Sequence, residues 1–195
     1  MYNYYSYYRL KRFINKLVWR YFFSRSFKRF GKYSNIMSPE QIEGEEYITI
    51  EDNVFMYPRS TLIARKCTEK EPSLVIGKRV QIRPGFHVVC VFSIVIGDDV
   101  LIADNVFLSD NTHTYSDINH PIVAQPLKVL RPVRIGSNAW LGRNVCVIGA
   151  SVGKNSVIGA NSVVLQDVPD YSVAVGNPAK IIKQFDFSRK LWVNV

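Results

Sequence analysis

IGSNAW LGRNVC VIGAS VGKNSV IGANSV VLQDV, residues 135–168, repeats itself every six residues, and that period decides the fold. An aliphatic residue opens each unit, at Ile135, Leu141, Val147, Val152, Ile158 and Val164. Glycine follows at positions 136, 142, 153 and 159, and a small or β-branched residue stands near the fifth place. A helix would show a period of 3.6 and an ordinary strand a period of 2. A sustained period of six fits a chain that turns a corner every six residues and stacks like corners on one another. The openers then point into a shared core, and the glycines are expected to supply backbone torsions that a Cβ would forbid. Each coil of such a solenoid buries little alone, so stability comes from stacking.

The same grammar runs upstream. Ile96 opens IGDDVL, IADNVF and LSDNTH, ending at His113; Ile76 opens IGKRVQ and IRPGFH; Ile50 opens IEDNVF and MYPRST, with a new start at Leu62. Imperfect hexads therefore fill residues 50–168 apart from two interruptions. Residues 65–73 are charged and carry Pro72, and residues 114–132 carry Pro121, Pro126 and Pro132 with no hexad. Both read as loops thrown out of the coil. VIGAS is one residue short, which predicts a tightened corner near Gly149.

The hexads, the long loop, NAWLG at 138–142 and AVGNPAKII at 174–182 together resemble the hexapeptide-repeat acyltransferases over residues 35–185, and within them the sugar and polysaccharide O-acetyltransferases. The resemblance implies an all-β, left-handed parallel β-helix. Handedness comes from the likeness alone, since parallel crossovers are normally right-handed. It also implies acetyl-CoA as acyl donor, no metal, and a homotrimer with active sites between subunits. The expected organisation is an arm at 1–34, the β-helix at 35–185 with its external loop at 114–132, a short helix after GNPAK, and a tail at 186–195.

Charge is unevenly spread. Residues 1–39 hold nine Lys or Arg and no Asp or Glu, so the net +9 of the chain resides there. The same segment carries 13 of the 25 aromatic residues. Leu10, Phe13, Ile14, Leu17, Val18 and Tyr21 fall on one helical face, with Arg12, Lys16 and Arg20 off it. Two readings of this arm stay open. In one it lies on the anionic cytoplasmic leaflet. In the other it caps the open end of the solenoid or packs on a neighbouring subunit. No nucleic-acid module accompanies the basic residues. Cys67, Cys90 and Cys146 lack metal-ligand spacing, and their odd number excludes a complete disulfide framework. Cys146, inside a hexad, reads as small core filler. No stretch has signal-peptide or transmembrane character, so the expectation is a cytoplasmic protein, peripheral at the inner membrane face if the arm binds lipid.

Moving an acetyl group from a thioester to a sugar hydroxyl needs a base for the hydroxyl and donors for the oxyanion. Histidine suits the first task, and the chain has three. By the resemblance, His113 in SDNTHTY stands where the family keeps its base, at the exit into the long loop; Asn111 occupies a place where that motif often has a further His. His120, followed by proline, is the rival. His87 is a candidate for the acceptor site or a surface residue. Asp110 orients His113 or binds acceptor hydroxyls, or else satisfies corner amides. Tyr115 is a candidate contact to acceptor or pantetheine. For the donor, the resemblance points to Trp140 beside the thioester, Gly142 with its amide facing the oxyanion, and Ala160 and Ser162 one coil later. Gln166 follows Leu165 where the family has Thr-Lys, and Lys180 and Lys183 are positioned for the coenzyme phosphates. No Ser or Cys is paired with a base, so transfer is expected to be direct. Alternatives within the likeness are an N-acetyltransferase on an amino-sugar, a serine or xenobiotic acetyltransferase, and a non-catalytic scaffold.

Overall fold

The computed structural model describes residues 3–195; Met1 and Tyr2, part of the expected arm, lie outside them. Helix α1 (Tyr4–Val18) is capped by Asn3 Oδ1, which accepts from the Ser6 amide at 2.9 Å, and continues through one π-helical turn at Trp19–Phe23. The chain then winds into a parallel β-helix of three faces, visited in the order A, B, C. Face A holds Arg29–Phe30, Ile48–Ile50, Ser73–Ile76, Ser93–Ile96 and Val133–Ile135. Face B holds Asn35–Ile36, Phe55–Met56, Gln81–Ile82, Leu101–Ile102, Trp140–Leu141, Val157–Ile158 and Ser172–Val175. Face C holds Gln41–Glu43, Thr61–Ala64, His87–Cys90, Phe107–Ser109, Cys146–Ile148 and Val163–Val164. The first strand pairs with residues 49 and 50, so the solenoid begins at Arg29, earlier than position 35.

The hexad openers do what the period requires. Ile76, Ile82, Ile96, Ile102, Leu108, Leu141, Val147 and Ile158 are all fully buried and stack in register. The second-place glycines act differently from expectation. The residues at positive φ are those in the fourth place, Asn53, Arg79, Asp99, Asn105, Asn138, Asn144, Asn155 and Asn161. Asparagine is among the few residues that enter this region at modest cost. The glycines instead allow coils to touch: a Cβ on Gly97 would lie 2.7 Å from the Ser137 amide nitrogen, and one on Gly136 would run into the Lys154 amide. A Gly97→Ala variant should therefore lose roughly 1–3 kcal/mol by overpacking, read as a lower melting temperature with the same far-UV spectrum. Two glycines among the hexads need their torsions: Gly85, at φ +79° in the fourth place of IRPGFH, and Gly149, at φ +56°, which forms the tightened corner where VIGAS is short.

Every insertion leaves the coil at the edge between faces C and A. Residues 65–72 emerge there. So does the long loop, which is partly ordered: Asn111–His113 pairs antiparallel with Leu127–Val129, and Ile122–Ala124 forms a 3-10 turn. Cys146 belongs to the outward column of face C, between Phe107 and Val163, and is not core filler. The C-terminal segment is likewise not a helix. Lys180–Asp186 returns antiparallel onto Ser172–Val175, and Leu191–Asn194 adds to it, so residues 186–195 complete a hairpin. Face B would otherwise end on an open edge, and the strand covers it.

At the other end α1 closes the first coil. Asn15 Nδ2 donates to Asn35 Oδ1 and to the Ile36 carbonyl, both at 2.6 Å, satisfying an edge strand. Trp19 is buried against Phe27 and Phe30. The capping reading of the arm therefore holds for one side of the helix.

Candidate active site

His113 is held out from the solenoid by a rigid root. Asp110 is fully buried, and its carboxylate accepts the amides of Val91 (2.8 Å), Phe92 (2.9 Å) and Ser93 (2.7 Å), the corner joining two coils. Asn111 Nδ2 donates to the Val89 carbonyl at 3.1 Å. On the returning strand the Leu130 amide donates to the Asp110 carbonyl at 2.7 Å, and Arg131 donates to the Gly149 carbonyl and pairs with Asp167, each at 3.1 Å. Asp110 thus satisfies corner amides; it neither orients His113 nor reaches an acceptor, because its oxygens are spent and it has no exposed surface. It also lies against Cys90, whose thiol is pushed up to about 12, first by burial and then by the neighbouring carboxylate. Asp110→Asn turns an amide NH2 toward buried N–H donors, so it should cost about 3 kcal/mol or more. The expected result is a lower urea midpoint together with weakened turnover, as the arm loses its anchor.

Beyond this root His113 is exposed and, among the described residues, has no side-chain partner. Tyr115 is exposed on the same arm. His120 sits at the tip, its Nδ1 2.8 Å from Asp117 Oδ2, while Gln125 Nε2 donates to the carbonyls of Asp117 and His120. The Asn119 amide, and then the His120 ring, hold the Asp117 carboxyl below its ordinary range. His87 is exposed on face C, edge-on to Phe107 with ring centres 5.5 Å apart. A cleft of about 460 Å³ lies under the arm root, bounded by Lys128–Arg131, Ile148, Gly149 and Leu165. Gln166 is exposed near it, on the C/A edge, and so is separated from the other donor-site candidates.

Those candidates gather on face B and the B/C corner. Leu101, Trp140, Val157, Val173 and Lys183 form one outward column. A register shift between Val173 and Ala174 leaves Lys180 opposite Val175, two residues along from Val173 and on the same face. The irregularity therefore aims both lysines along the surface that Trp140 occupies. At the corner, Gly142 gives its amide to the Ile158 carbonyl at 2.8 Å, and a Cβ there would lie 2.7 Å from the Ala160 nitrogen. It is not available to an oxyanion. Ser162 is fully buried, its Oγ accepting the Gly176 amide at 3.0 Å, and is likewise unavailable. Ala160 is exposed, and among the described residues its amide has no acceptor. This open donor, the arm root built by Asp110 and Arg131, and the capping Asn15 are features that the hexad pattern did not disclose.

One chain does not bring the two groups together. The arm leaves the edge between faces C and A; the B/C corner lies across the width of face C, and face B lies on the opposite side of the prism. Between them is a core of fully buried Ile, Leu and Val.

Residues 132–166 match the family model described as the hexapeptide repeat of succinyl-transferase. The solved structure of the polySia specific acetyltransferase NeuO is 33% identical in sequence, covers 77% of this chain, is itself covered over 68% of its length, and superposes with a TM-score of 0.63. The chain belongs to the hexapeptide-repeat acyltransferases. Its coil is the family's left-handed parallel β-helix. A relative from Mycobacterium tuberculosis, whose name gives a probable acetyltransferase (Rv3034c), is 36% identical over 93% of this chain and 57% of its own length. Another, from Escherichia coli K12, whose name assigns it lipopolysaccharide biosynthesis O-acetyl transfer (WbbJ), is 40% identical over 58% of this chain and 61% of its own. The chain thus spans about three-fifths of the length of these two relatives.

Proposed function

We propose that this hexapeptide-repeat protein transfers an acetyl group from acetyl-CoA to a hydroxyl of a surface saccharide, with His113 as general base and the donor groove supplied by a neighbouring copy in a trimer. The observation that carries this reading is the pinned arm. An exposed imidazole stands three residues beyond a fully buried carboxylate that fixes the chain at three amides, as a base that must meet a second chain's groove requires. The donor is a substrate here, and the chain's residues fit its chemistry. Ala160 offers an unused N–H to a pantetheine carbonyl or to the oxyanion, Trp140 offers an apolar wall, and Lys180 and Lys183 offer cations on the same face for phosphate.

In this mechanism His113 accepts the acceptor's hydroxyl proton as the oxygen attacks the acetyl carbon. The tetrahedral oxyanion collapses with cleavage of the carbon–sulfur bond. The proton on the imidazolium passes to the departing thiolate, leaving an acetyl ester, a free thiol and neutral His113. Oxygen rather than nitrogen as nucleophile is supported by the name of the Escherichia coli relative at 40% identity. The perosamine N-acetyltransferase structure, at 22% identity, speaks to fold alone. One observation favours a second reading: the Asp117–His120 contact has the form of an oriented base.

Thiol release from acetyl-CoA, measured with saccharides bearing free hydroxyls and with matched amino-sugars, tests the proposal. Turnover confined to hydroxyl acceptors is expected. Turnover confined to amines would replace the O-transfer reading, and no coenzyme binding by calorimetry would end it in favour of a scaffold.

A further inference from the structure

Helix α1 has two working sides. Tyr8, Arg12, Asn15 and Trp19, spaced by four, three and four, meet the body of the protein. Tyr8 Oη donates to the Met37 sulfur, Arg12 lies 4.2 Å from the Phe55 ring centre, and Asn15 and Trp19 pack as described above. Tyr7, Leu10, Ile14 and Leu17 are spaced by three, four and three. At 100° per residue their stripe is centred roughly 150° from the first. These four are 61%, 57%, 51% and 38% exposed, and Phe13 and Tyr21 widen the stripe at 59% and 68%. Packing on the solenoid therefore leaves a continuous apolar face in water, which marks an interaction surface.

Charge identifies the partner. The segment that carries this stripe, residues 1–39, holds nine cations and no acid, whereas the rest of the chain balances 16 against 16; Arg12 faces the Phe55 ring and Arg29 pairs with Glu51, while Lys11 and Arg20 are exposed on either side of the stripe. Such a surface calls for a partner that is anionic outside and apolar beneath. A second copy of the same helix would set like charges together. A bilayer with acidic headgroups offers both layers at once, with depth for Tyr and Phe rings at the headgroup level. We propose that the outward stripe of α1 seats the protein on an anionic lipid surface. The contact is peripheral; no helix among the described residues is long and apolar enough to cross a membrane. This inference does not depend on the acetyl-transfer reading and is read without any activity.

The test is co-sedimentation of the full chain with vesicles of phosphatidylcholine alone or mixed with phosphatidylglycerol. Binding to the mixed vesicles should be at least about tenfold tighter, and most of that preference should vanish as salt shortens the Debye length from about 10 Å at 0.1 M to about 3 Å at 1 M. Leu10→Asp with Ile14→Asp should abolish pelleting while leaving the melting temperature and the oligomeric state unchanged. Should that variant misfold, Lys11→Glu with Arg20→Glu carries the test. It should weaken binding more than tenfold, at about fivefold per cation. Equal partition onto neutral and acidic vesicles overturns the proposal, as does unimpaired pelleting of either variant. A wild-type protein that stays in the supernatant while Leu10→Asp with Ile14→Asp alters its sedimentation coefficient would make the stripe a protein interface instead.

Discussion

His113→Gln lowers kcat by about 10²- to 10⁴-fold and leaves the melting temperature within a degree or so of the parent. The first effect follows from the proposed role of His113 as the group that accepts the hydroxyl proton, which glutamine cannot do. The second follows from the site itself: the ring is exposed and has no side-chain partner among the described residues, so its loss breaks nothing. His120→Gln is the matched control. It severs the 2.8 Å contact with Asp117 at the tip of the arm, but Gln125 still ties residues 117 and 120 together through their carbonyls. Turnover within a few-fold of wild type is expected. Steady-state rates of both variants, with melting curves, decide between the two histidines. A large loss in His120→Gln beside a near-normal His113→Gln would transfer the role to the Asp117–His120 pair.

The solenoid was legible because its physics is one-dimensional. A period of six in aliphatic residues has one economical explanation, and each opener from Ile76 to Ile158 lands in the core as that explanation requires. The first coil was not legible. Residues 29–43 (RFGKYSNIMSPEQIE) keep Phe30, Ile36 and Ile42 in hexad phase, but the opener is aromatic and a second-place glycine follows only Phe30; coil one is held by what packs on it, namely Asn15, Trp19 and the next coil. The second-place glycines were legible as a pattern and misread as a cause. Sequence shows that a Cβ is excluded; only the neighbouring coil shows that contact at Gly97 and Gly136, not torsion, excludes it.

The site was legible unequally for a related reason. His113 and Trp140 announce themselves by type and setting. Ala160 is informative only through a backbone amide left open, and Gly142 is disqualified only through an amide already used. Neither fact has a side-chain signature. Asp110 carries the same ambiguity in sequence as any acid beside a histidine. Its burial, together with the three amides of residues 91–93 that arrive from another coil, resolves it into an anchor. The lysines at 180 and 183 read as a helix face because spacing of three favours one; a register shift in a strand achieves the same alignment.

Two inactive variants should restore each other. His113→Gln removes the proposed base from the arm. Ala160→Trp fills the exposed corner on the donor side without touching the core, because Ala160 projects into solvent. In one chain Ala160 stands at the B/C corner and the arm leaves the C/A edge, with the width of face C between them. In the proposed trimer the arm of one chain meets the groove of the next, and a closed ring of three provides three such junctions. When equal amounts of the two variants assemble at random, a junction is intact if its arm comes from the Ala160→Trp chain and its groove from the His113→Gln chain, which gives about a quarter of the wild-type activity. Each parent alone should give about a hundredth or less. The measurement is turnover of co-expressed, doubly tagged assemblies, with subunit composition read by native mass spectrometry. Mixed rings that remain as inactive as their parents would mean that base and donor meet within a single chain, and the division of labour proposed here would fall with them.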